Sequence, residues 1–80
     1  MPQEDLSIKE SFEKANKELS EGNFKNAKNI YNEILMIEPN HLGSHNNLGI
    51  TFIYLKEYEK AKIYFEKAIK INPNYSDAYV

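Results

Sequence analysis

His41 and His45 stand four residues apart, a spacing that puts two imidazoles on one helix face and could hold a metal ion. His41 precedes its helix, however, and falls outside it, so no metal or other cofactor is expected. Ser44-His45 pairs a hydroxyl with a base, but no third member of a nucleophilic triad accompanies it. No Gly-rich phosphate loop is present. The carboxylates Glu10, Glu13, Glu18 and Glu21, like Glu57, Glu59 and Glu66, alternate with lysines at helical spacings. Pairs such as Glu10–Lys14 and Glu13–Lys17 read as surface supports worth about 0.2–0.5 kcal/mol each. An acid–base pair needs apolar walls to shift one pKa, and no such setting is visible. No enzymatic activity is expected within these residues.

Composition narrows the partners. The net charge is −2, and every basic residue is lysine. Without arginine the chain lacks the forked donor suited to bidentate phosphate capture, and no basic stripe compensates. Nucleic acid and membrane are therefore not expected. The chain has no cysteine, so neither a disulfide framework nor a thiolate metal site can form. No apolar run approaches membrane length, and Met1-Pro2-Gln3-Glu4-Asp5 is no signal peptide, which points to a cytoplasmic protein. Eighty residues allow one small domain with little surplus of core, so an uncovered apolar face has consequences.

The elements that position these residues follow from a repeat. A shift of 34 residues lays Phe24 on Tyr58, Ala27 on Ala61 and Tyr31 on Phe65. The same shift pairs Ile37 with Ile71, Pro39 with Pro73, Asn40 with Asn74, and His45 with Tyr79. Within each unit the apolar period is helical. Ile8, Phe12, Ala15 and Leu19 form one stripe, and Phe24, Ala27, Tyr31, Ile34 and Leu35 form the next. Gly22-Asn23 separates them, with Gly22 suited to a left-handed helix cap. Leu48, Gly49, Phe52 and Leu55, then Tyr58, Ala61, Phe65, Ala68 and Ile69, repeat the pattern. The second turn has Lys56 where the first has Gly22, at a cost of about 1 kcal/mol if Lys56 is left-handed. Gly43 reads as a loop residue and Gly49 as a close helix-packing point. The fold class is all-α: two antiparallel helical hairpins.

His45-x-x-Leu48-Gly49-x-x-Phe52, followed by Ala61-x-x-x-Phe65 and Pro73, resembles the tetratricopeptide repeat. The resemblance implies an α-α superhelix, with an N-terminal tail over residues 1–7. Repeats follow over 8–41 and 42–75, and residues 76–80 begin a third. His45 then stands where the family packs an aromatic ring. Ser11, Lys14 and Glu18 replace the family's large apolar residues, as suits the outer face of a first helix. The last residues, Tyr75 to Val80, read as a repeat cut short within a longer array. Ile63, Tyr64 and Ala68 are then expected to lack cover, favouring a homo-oligomer formed through the C-terminal edge.

By the same resemblance, the first helix of each hairpin lines a concave groove that receives a peptide or protein segment. Phe12, Glu13 and Asn16, with Lys9 and Ser20, fall on it in the first repeat. Asn46, Asn47, Ile50 and Tyr54 continue it in the second, and Asp77 follows. Phe12, Ile50 and Tyr54 read equally as packing residues. Asn16 and Asn47 are the stronger binding candidates, since an amide offers both donor and acceptor. They also match two positions of the carboxylate clamp with which some family members hold chaperone tails. Phe12 and Asp77 occupy positions where that clamp needs cations, which argues against such a tail. The resemblance thus implies a module for protein–protein interaction. The alternatives are the N-terminal arm of a larger enzyme, such as a glycosyltransferase or methyltransferase, or a self-assembling structural module.

Overall fold

The structure, a computed structural model, describes residues 2–74, with side chains from residue 7 onward. Four helices follow one another: α1 (Pro2–Ser20), α2 (Phe24–Ile37), α3 (Leu42–Tyr54) and α4 (Tyr58–Ile71). No strand occurs among the described residues. Helix α1 begins at Pro2, so the segment expected as a tail before Ile8 is helical from its second residue. Proline is favoured at a first helical position, where its missing N–H is not needed. The expected start of a third repeat at 76–80 lies outside the described residues, as do Tyr75, Asp77 and Tyr79.

The two hairpin turns are built alike. After α1, Asn23 N–H donates to the Glu18 carbonyl at 2.8 Å and Gly22 N–H to that of Leu19 at 3.1 Å. After α3, Glu57 N–H donates to Phe52 at 2.8 Å and Lys56 N–H to Ile53 at 3.0 Å. Both are Schellman caps, whose pivot residue must be left-handed. Gly22 takes φ +83° without strain, whereas Lys56 is forced to φ +64°. Lys56→Gly is therefore expected to stabilise the chain by about 0.5–1 kcal/mol, after the glycine's extra unfolded-state entropy is set against the relieved strain. A urea midpoint that fails to rise at unchanged m-value would refute the strain.

Between the hairpins the chain turns at residues 38–41. Glu38 N–H closes α2 on the Ile34 carbonyl at 2.8 Å. His41 opens α3 as its N-cap: its Nδ1 accepts from the Ser44 N–H at 3.1 Å. His45 locks the same loop from inside the helix, its Nε2 lying 2.7 Å from the Pro39 carbonyl.

Packing is sequential. Helix α1 lies on α2, α2 on α3 and α3 on α4, with only a light contact between α1 and α3. Two hairpins stacked in this way form a short solenoid rather than a closed bundle. One core runs through the stack, with Ile8, Ala15, Ala27, Tyr31 and Ile34 continuing into Leu48, Phe52 and Ala61. Alanines at the helix crossings let the backbones approach, while Tyr31 and Leu48 fill the space between hairpins. Both are fully buried. Gly43 is not the expected loop residue but lies in the first turn of α3, pressed against the Phe12 ring. Gly49 is a close packing point, against Phe65.

The C-terminal flank differs from expectation at two positions. Ala68 is fully buried, and Tyr64 is half-buried, its ring stacked on Phe52 and His45 at 5.5 and 5.8 Å. Of the three residues expected to lack cover, Ile63 is the open one, 49% exposed. Tyr58, on the same helix, is 61% exposed.

Candidate functional site

An amide network joins three helices. The hydroxyl of Tyr31 on α2 donates to Asn16 Oδ1 on α1. Asn47 on α3 donates its Nδ2 to the same oxygen at 2.9 Å. Asn46 Nδ2 reaches Asn47 Oδ1 at 3.3 Å, and Thr51 Oγ1 donates to the Asn47 carbonyl at 2.7 Å. Asn16 Oδ1 thus uses both lone pairs inside the protein. The Asn16 amide nitrogen has no partner among the described residues.

Burial pushes the Tyr31 phenol from 10.0 up to about 12, against a smaller lowering by the neighbouring Asn47 side chain. An unfolded chain titrates this phenol near 10, so folding favours the neutral form. The associated stability is complete below pH 10 and is lost as pH rises through the folded value. About 2 kcal/mol should be gone by pH 12. Tyr31→Phe is expected to flatten this alkaline limb in urea titrations. An unchanged limb in that variant would assign the loss to other groups.

Beside the network lies a concavity of about 380 Å³ bounded by Asn16, Leu19, Ser20, Phe24, Ile50 and Tyr54. No charged side chain lines it. Tyr54 is 59% exposed, and its ring stacks flat on Phe24 of the preceding hairpin, 4.9 Å apart and 4° from parallel. Ser20 Oγ is tied to the Lys17 carbonyl at 2.8 Å.

The expected groove residues divide. Asn16, Ile50 and Tyr54 line the concavity, and Asn47 anchors it through Asn16. Asn46 does not line the concavity: it is a 3% exposed residue of α3, with its Oδ1 buried and without a hydrogen-bond partner. Phe12 is a packing residue. Its ring meets Tyr31 edge-on at 5.9 Å and His41 at 4.9 Å, and its tip fills the space over Gly43. Glu13 is exposed and belongs to neither network nor concavity. Leu19 and Phe24 belong to the apolar stripes and Gly22 to the turn, so their sequence pattern does not mark them as rim residues. Their position beside the turn, where a stripe runs out of partners, was the available signal.

The residues that could have done chemistry are occupied otherwise. Ser44 Oγ lies 2.8 Å from His41 Nδ1, yet Ser44 is fully buried and meets no substrate. Burial lowers the His41 pKa, with Glu38 opposing and His45 adding to the effect, which keeps Nδ1 available as the cap acceptor. His45 stacks on Tyr64, as an aromatic ring would. No group of three or more potential metal ligands occurs among the described residues. No described helix is long and apolar enough to cross a membrane.

Tetratricopeptide repeat models match residues 18–41 and 44–75, one in each hairpin. No curated protein matches the chain. Among solved structures, the second tetratricopeptide domain of Spaghetti (RPAP3), bound to the HSP90 peptide SRMEEVD, superposes with a TM-score of 0.88. The alignment covers 99% of this chain and 75% of that one at 17% identity, so the likeness is one of fold. Two repeat matches on a stack that superposes along nearly its whole length establish that the chain belongs to the tetratricopeptide repeat family.

Proposed function

We propose that the chain is a protein-interaction module that receives a peptide or protein segment in the concavity of Asn16, Ile50 and Tyr54. The observation that carries this reading is the state of Asn16. Its oxygen is saturated by Tyr31 and Asn47, which fixes the side chain and leaves the amide donors at the concavity's edge. A fixed amide donor pairs with a backbone carbonyl of any sequence, while Leu19, Ile50 and Tyr54 offer apolar surface to a side chain. Two repeats provide little groove, so a lone peptide should bind at about 10⁻⁴ to 10⁻⁵ M, near −5.5 to −7 kcal/mol.

The test is to select peptides from a random display library on the immobilised chain and map them by ¹⁵N–¹H shifts. Footprints on Asn16, Ile50 and Tyr54 are expected. Footprints confined to the outer face of α2 or α4 would sink the groove. The peptide SRMEEVD is expected to bind no better than its scramble, because Phe12 is immobilised in packing where a clamp needs a cation. Saturable shifts at Asn16 and Asn47 with that peptide would reverse this exclusion.

A second reading, self-association through α4, is favoured by one observation. The repeat shift maps Phe24 onto Tyr58. Phe24 is covered by Tyr54 of the next hairpin, while Tyr58 and Ile63 stand exposed. Sedimentation of Ile63→Lys against the parent chain tests it. Equal masses at high concentration would remove α4 as the contact.

A further inference from the structure

Two imidazoles pin the loop that joins the hairpins, and their hydrogen-bond roles are opposite. His45 Nε2 lies 2.7 Å from the Pro39 carbonyl, which can only accept, so that nitrogen carries a hydrogen. A second proton on the His45 ring leaves this bond in place. His41 is the reverse case. Its Nδ1 accepts from the Ser44 N–H at 3.1 Å, so that nitrogen is bare, and the Ser44 hydroxyl 2.8 Å away donates to it as well. A proton on Nδ1 removes this acceptor. Ser44 N–H keeps its bond to the His41 carbonyl at 3.1 Å, and Ser44 Oγ can take the new hydrogen. The hydroxyl's own hydrogen then loses its partner within a fully buried residue. The imidazolium also stands at the positive end of the α3 dipole.

The same ring belongs to the joint between hairpins. His41 packs edge-on against Phe12 of α1, 4.9 Å away, and the tip of Phe12 fills the space over Gly43 in the first turn of α3. Through Phe12 the cap of the second hairpin is coupled to the first helix. Ionisable groups act on His41 from two sides: Glu38, in the loop, favours its proton and His45, on α3, opposes it. From α1 the neighbour is the Phe12 ring, and against that ring stands Tyr31 of α2, whose hydroxyl is given to Asn16. Burial is the largest influence and lowers the His41 pKa from 6.5, so an unfolded chain takes the proton first. The cap's stability is therefore complete above pH 6.5 and is lost as pH falls through the folded value.

We infer that His41 is a proton-released latch between the hairpins: bare at Nδ1 it caps α3 and holds Phe12 in place, and once protonated it lets the start of α3 fray and loosens the hairpins at that corner. The concavity has Asn16 and Phe24 on one hairpin and Ile50 and Tyr54 on the other, so a loosened joint misaligns its walls. Weaker partner binding in acid follows only if the groove reading holds. The latch itself needs no partner.

Titration of the full chain without ligand, followed by ¹⁵N–¹H and imidazole ¹³C–¹H spectra, tests the latch apart from the groove. The His41 Cε1–H should titrate with a midpoint below 6.5, and the Ser44 amide should shift with the same midpoint. Protection of the Ser44 amide against hydrogen exchange should fall about fivefold across it, beyond the change in intrinsic rate. Cross-relaxation between the Phe12 ring and Gly43 should weaken in step. His41→Asn keeps an uncharged cap acceptor and should remove the fall in protection, while Glu38→Gln, at an exposed position, should move the midpoint lower still. A His41 midpoint at or above 6.5, or a fall in protection that persists in His41→Asn, would overturn the latch. Undiminished Phe12–Gly43 cross-relaxation through the titration would do the same, since the proton would then act on the cap without reaching the joint.

Discussion

Gly49→Val is expected to lower the melting temperature by roughly 15 °C, the equivalent of about 3 kcal/mol in a domain of this size. Gly49 lies on α3 facing α4, and a Cβ there would sit 2.6 Å from Phe65 Cε1 and 2.8 Å from both Cδ1 and Cζ. Three atoms of one rigid ring block the position, so the ring must move as a whole. The ring must retreat or the helices must part, and parting them uncovers Leu48 and Phe52. Gly49→Ala should cost less, about 1 kcal/mol net, because alanine recovers helix propensity. The repeat supplies an internal control. The equivalent residue of the first hairpin is Ala15, fully buried in the same core as Tyr31, which is the counterpart of Phe65. That hairpin accommodates a methyl group where the second does not. Phe65→Leu should therefore recover most of what Gly49→Ala loses, giving a coupling of about 0.5–1 kcal/mol in a double-mutant cycle. Additive losses, or a Gly49→Val chain that melts like the parent, would show that the contact is not what limits the interface.

Asn16→Ala is expected to destabilise the chain by about 2 kcal/mol net of the helix propensity gained. The substitution removes one acceptor but strands two donors, the buried Tyr31 hydroxyl and the Asn47 amide. A buried donor left unmade costs about 1–3 kcal/mol, more than a matched pair contributes when formed. Tyr31→Phe should cost only about 1 kcal/mol, because Asn16 keeps its bond to Asn47. The double variant should lose less than the sum, since the phenylalanine has no hydroxyl to strand. Urea titrations of the four chains measure the cycle. Strict additivity would mean that the three helices are not joined through the Asn16 oxygen. Binding separates the amide's two roles. A library-selected peptide should lose affinity for Asn16→Ala well below the melting transition, and for Tyr31→Phe to a smaller degree.

The helices, their pairing and their turns are legible in local residue pattern. The period of 34 is written in residues with local work: alanines where helices cross, Gly22 where the chain turns left-handed, Pro39 where a helix stops. Local backbone chemistry even fixed the flaw at Lys56, because a Schellman cap makes the same demand wherever it occurs. The start of α1 escaped, since Pro2 through Leu6 carries no stripe to mark it and a proline begins a helix as readily as it ends one. The site was legible only in part. Asn16 and Asn47 were visible as amides on the first helix of each hairpin, but their roles depend on a third residue. Tyr31 reads from sequence as one more apolar ring, and only the meeting of α1, α2 and α3 aims its hydroxyl at Asn16. Asn46 and Asn47 are neighbours of one type, separated in fate by the 100° that a helix turns per residue, which buries one and brings the other to Asn16. Phe12 was drawn into the core by Gly43, thirty-one residues away, and the rim at Gly22 and Phe24 exists only because Tyr54 of the other hairpin comes to rest against it. Period and turn chemistry act over one helical turn and can be read in order along the chain, whereas burial and hydrogen-bond partnership are settled between residues that only folding brings together.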